Sequence, residues 1–116
     1  MEMIKGNFYF KKTINGNLLG EFSNDGPLNG VLKSYTESAD LISNIKKDDF
    51  EGLYHSTWYE NEACCARLEI KKSDDIKISK DLYFLKWTEG GNFEGQGMLC
   101  ENNVLIGNYW SSNVEK

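Results

Sequence analysis

Phe50-Glu51-Gly52-Leu53-Tyr54-His55-Ser56-Thr57-Trp58-Tyr59-Glu60-Asn61-Glu62-Ala63-Cys64-Cys65-Ala66-Arg67-Leu68-Glu69-Ile70-Lys71 is the stretch that decides the fold. In an extended strand, successive side chains point to opposite faces. One face from residue 50 onward therefore carries Phe50, Gly52, Tyr54, Ser56 and Trp58, and the other carries Glu51, Leu53, His55, Thr57 and Tyr59. The polar group Glu60-Asn61-Glu62 interrupts the run. Alternation then resumes, with Cys64, Ala66, Leu68 and Ile70 set against Cys65, Arg67, Glu69 and Lys71. Two alternating runs around a short polar turn make an antiparallel hairpin with one apolar face.

The same grammar recurs on both sides. Asn15-Gly16 lies between residues 8–14 and 18–22, and Asn-Gly between alternating apolar runs is a strong hairpin signal because both residues tolerate positive φ. Asn24-Asp25-Gly26-Pro27 marks another turn, Glu89-Gly90-Gly91-Asn92 separates 82–87 from 93–100, and Glu101-Asn102-Asn103 precedes 104–110. One segment departs from the pattern. Within 38–47, Leu41, Ile42 and Ile45 fall at helical spacing behind Ser38, a candidate cap, which predicts a short helix there, with another strand as the alternative. The predicted fold is all-β: an antiparallel up-and-down eight-stranded barrel in a single domain, 1–116. Closure leaves no exposed sheet edge; an open two-sheet sandwich is the competing arrangement.

A repeat of bulky-x-Gly-x-bulky runs through the chain at Gly20, Gly30, Gly52 and Gly107, with Gly95 in a near relative. Each of these glycines falls on the face that carries the bulky residues. Glycine inside a strand marks a bend or a close approach to the backbone, and small barrels need bends to coil. The repeat therefore reads either as coiling points or as room for a ligand. By alternation the interior also receives Phe8, Phe10, Phe22, Tyr83, Leu85, Trp87, Phe93, Leu99 and Tyr109. Along 104–110, Ile106 and Trp110 compete for the inner face. The hydroxyls of Tyr54, Ser56, Tyr83 and Tyr109 need partners if buried. They either bond among themselves in a filled core or line a pocket, and an eight-stranded barrel is wide enough for both outcomes.

Composition excludes several classes. Net charge is −5, and Arg67 is the only arginine, which disfavours nucleic acid and bidentate phosphate recognition. No run approaches the roughly 20 apolar residues of a membrane helix. The start Met1-Glu2-Met3-Ile4-Lys5 has no basic segment leading into an apolar run, and Cys64, Cys65 and Cys100 are odd in number. The expected setting is reducing and cytoplasmic. His55 is the single histidine and faces outward, and Cys64 and Cys65 point to opposite faces, so no metal or other cofactor is expected. No nucleophile elbow, P-loop or dinucleotide fingerprint appears. No catalytic residue is assigned.

Gly6-Asn7-Phe8-Tyr9 resembles the opening strand of the calycin barrels, the avidins, lipocalins and fatty-acid-binding proteins, with Phe8 where those openings carry Trp. Gly52-Leu53-Tyr54 and Gly107-Asn108-Tyr109 are similar to strand starts in that group. The resemblance implies a barrel that admits a small hydrophobic molecule. Avidin's biotin-binding residues find no position-by-position match and are not carried over.

The leading expectation is therefore a small soluble barrel that binds an apolar or aromatic molecule inside. Tyr54, Trp58, Trp87, Phe93 and Tyr109 would form its walls, with Ser56 and Tyr83 orienting polar atoms. The alternative is an interaction or homo-oligomeric assembly module that uses an outward stripe of Met98, Cys100, Ile106 and Trp110. A third reading is a calycin-type enzyme working through pocket tyrosines, with Glu60 and Lys86 as the nearest acid or base.

Overall fold

Alternation between buried and exposed side chains runs along strand after strand of the computed structural model, which describes residues 4–24, 33–43, 50–60, 62–73, 82–101 and 103–112. The strands are β1 (Lys5–Lys12), β2 (Leu18–Asn24), β3 (Lys33–Ser43), β4 (Gly52–Tyr59), β5 (Ala63–Lys72), β6 (Leu82–Thr88), β7 (Phe93–Cys100) and β8 (Val104–Ser111). Each pairs antiparallel with its neighbours in sequence, and β8 returns to pair with β1, Gly6 opposite Tyr109 and Phe8 opposite Gly107. The sheet is a closed barrel, which excludes the open sandwich.

The inner face is the one alternation assigns. Phe8, Phe10, Phe22, Tyr54, Ser56, Leu68, Ile70, Leu85 and Trp87 are all buried, while His55, Arg67 and Lys86 are exposed. In β8 the ambiguity resolves: Leu105 and Tyr109 are buried and Ile106 faces out, so Gly107 lies on the inner side. The first hairpin differs in detail from the sequence reading. Gly16 N–H donates to the Thr13 carbonyl and Thr13 N–H to the Asn17 carbonyl, a three-residue loop. Only Gly16 adopts positive φ (88°), while Asn15 does not. This is a type I turn closed by a left-handed glycine rather than a two-residue turn.

The helix expected over 38–47 does not form where the structure describes it. Residues 38–43 continue β3, and 44–47 lie outside the described residues. The period is two: Glu37 and Ala39 are buried, Thr36 and Asp40 exposed. Pairing with β2 on one side and β4 on the other supplies hydrogen bonds that outweigh the local helical spacing of Leu41 and Ile42. Ile42 faces outward by the same alternation, and an irregularity in pairing between Leu41 and Ser43 brings Ser43 opposite Leu53.

Gly30 lies outside the described residues, and at Gly20 and Gly107 the neighbouring strand's backbone comes close. A side chain on Gly20 would run into the Tyr9 carbonyl, and one on Gly107 into the Gln96 carbonyl. The space in front of them is filled by the neighbouring strand, not by a void.

Along its axis the barrel has two unlike halves. Where β1 ends and β2 begins, Phe10, Leu18, Tyr54, Leu68, Ile70 and Leu105 are essentially inaccessible and pack as a solid core. Fully burying side chains of this size contributes about 1.5–3 kcal/mol each. The other half, around the start of β1 and the ends of β2, β4, β6 and β8, is not filled.

Candidate functional site

Aromatic side chains delivered by six strands wall the unfilled half: Phe8, Phe22, Trp58, Trp87, Phe93 and Tyr109. They meet edge to face or tilted. Tyr109 lies at the hub, its ring centroid 6.0 Å from Phe22, 5.9 Å from Trp87 and 5.7 Å from Phe93. Phe8 meets Trp87 at 5.9 Å and Phe22 meets Trp58 at 6.3 Å. Such contacts fix ring orientation. They enclose a cavity of about 50 Å³, room for a few water molecules or for the head of a small ligand. Ile4, Asn24 and Glu60 complete the lining together with Glu37.

Glu37 sets the chemistry. Its place on β3 between Tyr35 and Ala39 puts it on the inner face, opposite Gly20 on β2 and Trp58 on β4. It is 4% exposed. Ser56 Oγ–H donates to Glu37 Oε2, and Trp87 Nε1–H donates to the same oxygen at 2.9 Å. Oε1 receives no hydrogen bond among the described residues, and no fully enclosed polar side-chain atom there lacks a partner. Oε1 is therefore the oxygen that looks into the cavity. Burial pushes the Glu37 carboxyl up from the ordinary 4.5 to about 7, with the Ser56 and Trp87 hydrogen bonds pulling the other way. Removing the charged form from water outweighs two donors to one oxygen. The group therefore changes charge near neutrality. When ionised, Oε1 is an acceptor without a hydrogen bond from the described residues. Across the cavity Asn24 Nδ2 donates to Tyr109 Oη at 2.7 Å.

The structure divides the residues singled out in the sequence. Trp58, Trp87, Phe93 and Tyr109 come together on the cavity. Ser56 stands behind Glu37 and orients it rather than facing the cavity. Tyr54 and Tyr83 belong to the filled half: Tyr54 Oη donates to the Phe50 carbonyl at 2.8 Å, and Tyr83 packs edge-on against Phe50 at 6.0 Å. Of the acid–base candidates, Glu60 lines the cavity and Lys86 is exposed on the outer face. The residue that sequence reading missed is Glu37. Its signal was the run Tyr35, Glu37, Ala39, Leu41 at alternate positions, legible once 33–43 is taken as strand.

Outside the barrel, Met98 and Ile106 are 44% and 51% exposed and pair across β7 and β8, with Tyr9 next in register on β1. Cys100 is exposed and Trp110 half-buried, opposite Glu94. Among the described residues no three His, Cys, Asp or Glu side chains are grouped to hold a metal ion. The chain matches no protein-family model, and neither a curated protein nor a solved structure matches it significantly.

Proposed function

We propose that this barrel binds a small, largely apolar or aromatic molecule in the half walled by Phe8, Phe22, Trp58, Trp87, Phe93 and Tyr109. The observation that carries the reading is the cavity itself, with a buried carboxyl whose Oε1 is left for something other than the chain to contact. Every fully enclosed polar side-chain atom among the described residues is paired, so the unpaired Oε1 is the accessible point where the carboxyl meets the cavity. A strongly perturbed acid in an aromatic cavity is the usual mark of a binding or reactive site. The calycin likeness of Gly6-Asn7-Phe8-Tyr9 points the same way. No second acid–base group lies within hydrogen-bond reach of Glu37 among the described residues, which favours binding over catalysis.

The test is a screen of small aromatic and aliphatic compounds followed by tryptophan emission and by thermal unfolding. A ligand of this cavity shifts the emission of Trp58 and Trp87 and raises Tm with concentration. Failure of every compound to do either contradicts the proposal. A second reading, self-association, draws on the outward row Tyr9, Ile106 and Met98, which is continuous across β1, β8 and β7. Sedimentation of the protein at high concentration separates the two readings, since a monomer refutes assembly and leaves ligand binding standing.

A further inference from the structure

We infer that the ligand presents a hydrogen-bond donor, an N–H or O–H group, to Glu37 Oε1, and that the cavity rejects molecules that can only accept. This rests on the binding role proposed above and adds the polar chemistry of the ligand's inner end.

The side chains at the cavity divide unevenly between acceptors and donors. Ser56 Oγ–H and Trp87 Nε1–H are both spent on Glu37 Oε2. Glu37 Oε1 takes no hydrogen bond from the described residues, and no fully enclosed polar side-chain atom among them lacks a partner, so Oε1 has open access. Asn24 repeats the arrangement on the cavity lining. It is 7% exposed, its Nδ2 donates to Tyr109 Oη at 2.7 Å, and its Oδ1 accepts nothing from the described residues. By the same reasoning Oδ1 is accessible. The Glu60 carboxylate, also on the lining, makes no ion pair or hydrogen bond among the described residues. Acceptors therefore reach the cavity from the end of β2, from β3 and from the turn after β4. No Lys or Arg joins them in the lining among the described residues. The Trp58 indole N–H, likewise unbonded there, leaves the balance with the acceptors.

That balance sets what the cavity tolerates. A ligand that covers Oε1 without bonding it strips the carboxyl of water and leaves it unpaired, a penalty that a donor avoids. Sites built to bond a polar group reject the analogue lacking it far more sharply than apolar walls reject a change of size.

The experiment follows the Trp87 indole Nε1–H resonance in the full chain, because that group bonds the Glu37 carboxyl. It is run above the Glu37 midpoint of about 7, where Oε1 can only accept. Pyrrole and furan are the decisive pair, rings of nearly equal size of which only pyrrole carries an N–H. Pyrrolidinium adds a charged donor of the same ring size. The expected result is a saturable shift with at least one of the two donors at a concentration at least about tenfold below that needed for furan. Which donor leads shows whether the group must carry charge. In Glu37→Gln the Ser56 and Trp87 donors hold the amide carbonyl, which turns the amide NH2 toward the cavity, and the preference for donors is lost. The wild-type comparison makes the test without any substitution. Furan bound as tightly as both donors, or a donor preference that survives in Glu37→Gln, overturns the donor assignment and leaves the binding role intact. Failure of every probe to move the resonance overturns both.

Discussion

The two halves of this barrel are built by the same eight strands with the same alternation, and they treat buried polarity in opposite ways. In the filled half the buried Tyr54 hydroxyl is satisfied by the Phe50 carbonyl of its own strand entry, and lysines cap the rings. In the hollow half Glu37 is buried too, yet both of its donors converge on Oε2 and Oε1 keeps access to the cavity. The first arrangement is what stability alone produces. The second costs stability whenever the carboxyl is ionised, because the charge is desolvated and only half satisfied. On the binding role proposed above, that cost is offset when a ligand meets Oε1.

The contrast breaks most visibly in the filled half. Phe10→Ala, at a fully buried position, is expected to lower unfolding free energy by about 3–5 kcal/mol in a denaturant titration. The same truncation at Trp58, half-buried on the cavity wall, should cost well under that and act mainly on ligand affinity. Equal losses at the two sites would mean the halves are packed alike.

Next in size is the Glu37 linkage. Its folded-state pKa, about 7, is raised above the ordinary 4.5. The native state therefore holds a proton that the unfolded chain has released between those values. The contribution of Glu37 is fully present below about pH 4.5, is lost as pH rises to about 7, and then levels off. The shift corresponds to a loss on the order of 3 kcal/mol. Glu37→Gln keeps an acceptor for Ser56 and Trp87 and removes the charge. Its stability relative to the wild type should rise across that window and plateau above it. A difference that is flat with pH would show that Glu37 is not desolvated.

Smaller again is Tyr109→Phe. It leaves the buried Asn24 amide without its 2.7 Å partner, at a cost of about 1–3 kcal/mol read from the urea midpoint. The smallest effect is expected on the outer surface. Ile106→Lys should change stability by less than about 0.5 kcal/mol while abolishing any self-association seen by sedimentation. An oligomer that survives the change would place its interface elsewhere.

Much of this architecture is legible in the sequence because period-two alternation is a direct consequence of strand geometry. It assigned the inner face from Phe8 through Tyr109, and it made His55 and Arg67 exposed. Alternation says which face a residue takes but not how far along the barrel axis it lies. Tyr54 and Trp58 share β4 and Tyr83 and Trp87 share β6, so alternation puts each pair on one face although four residues, about 13 Å, separate them along the strand. Glu37 was hidden for a different reason. A charged residue on an inner face contradicts the apolar-in, polar-out rule by which strands are found, and the helical spacing of Leu41 and Ile42 drew attention to the following segment. The site thus lies where the local pattern is broken.

The central claim is that Glu37 is a buried, half-satisfied acid open to the cavity, and a ¹³C NMR titration of its carboxyl measures this directly. The account predicts a midpoint near 7 in the free protein, displaced when a ligand saturates the cavity. A midpoint already at the ordinary carboxylate value in the free protein, unmoved by any ligand, would contradict it.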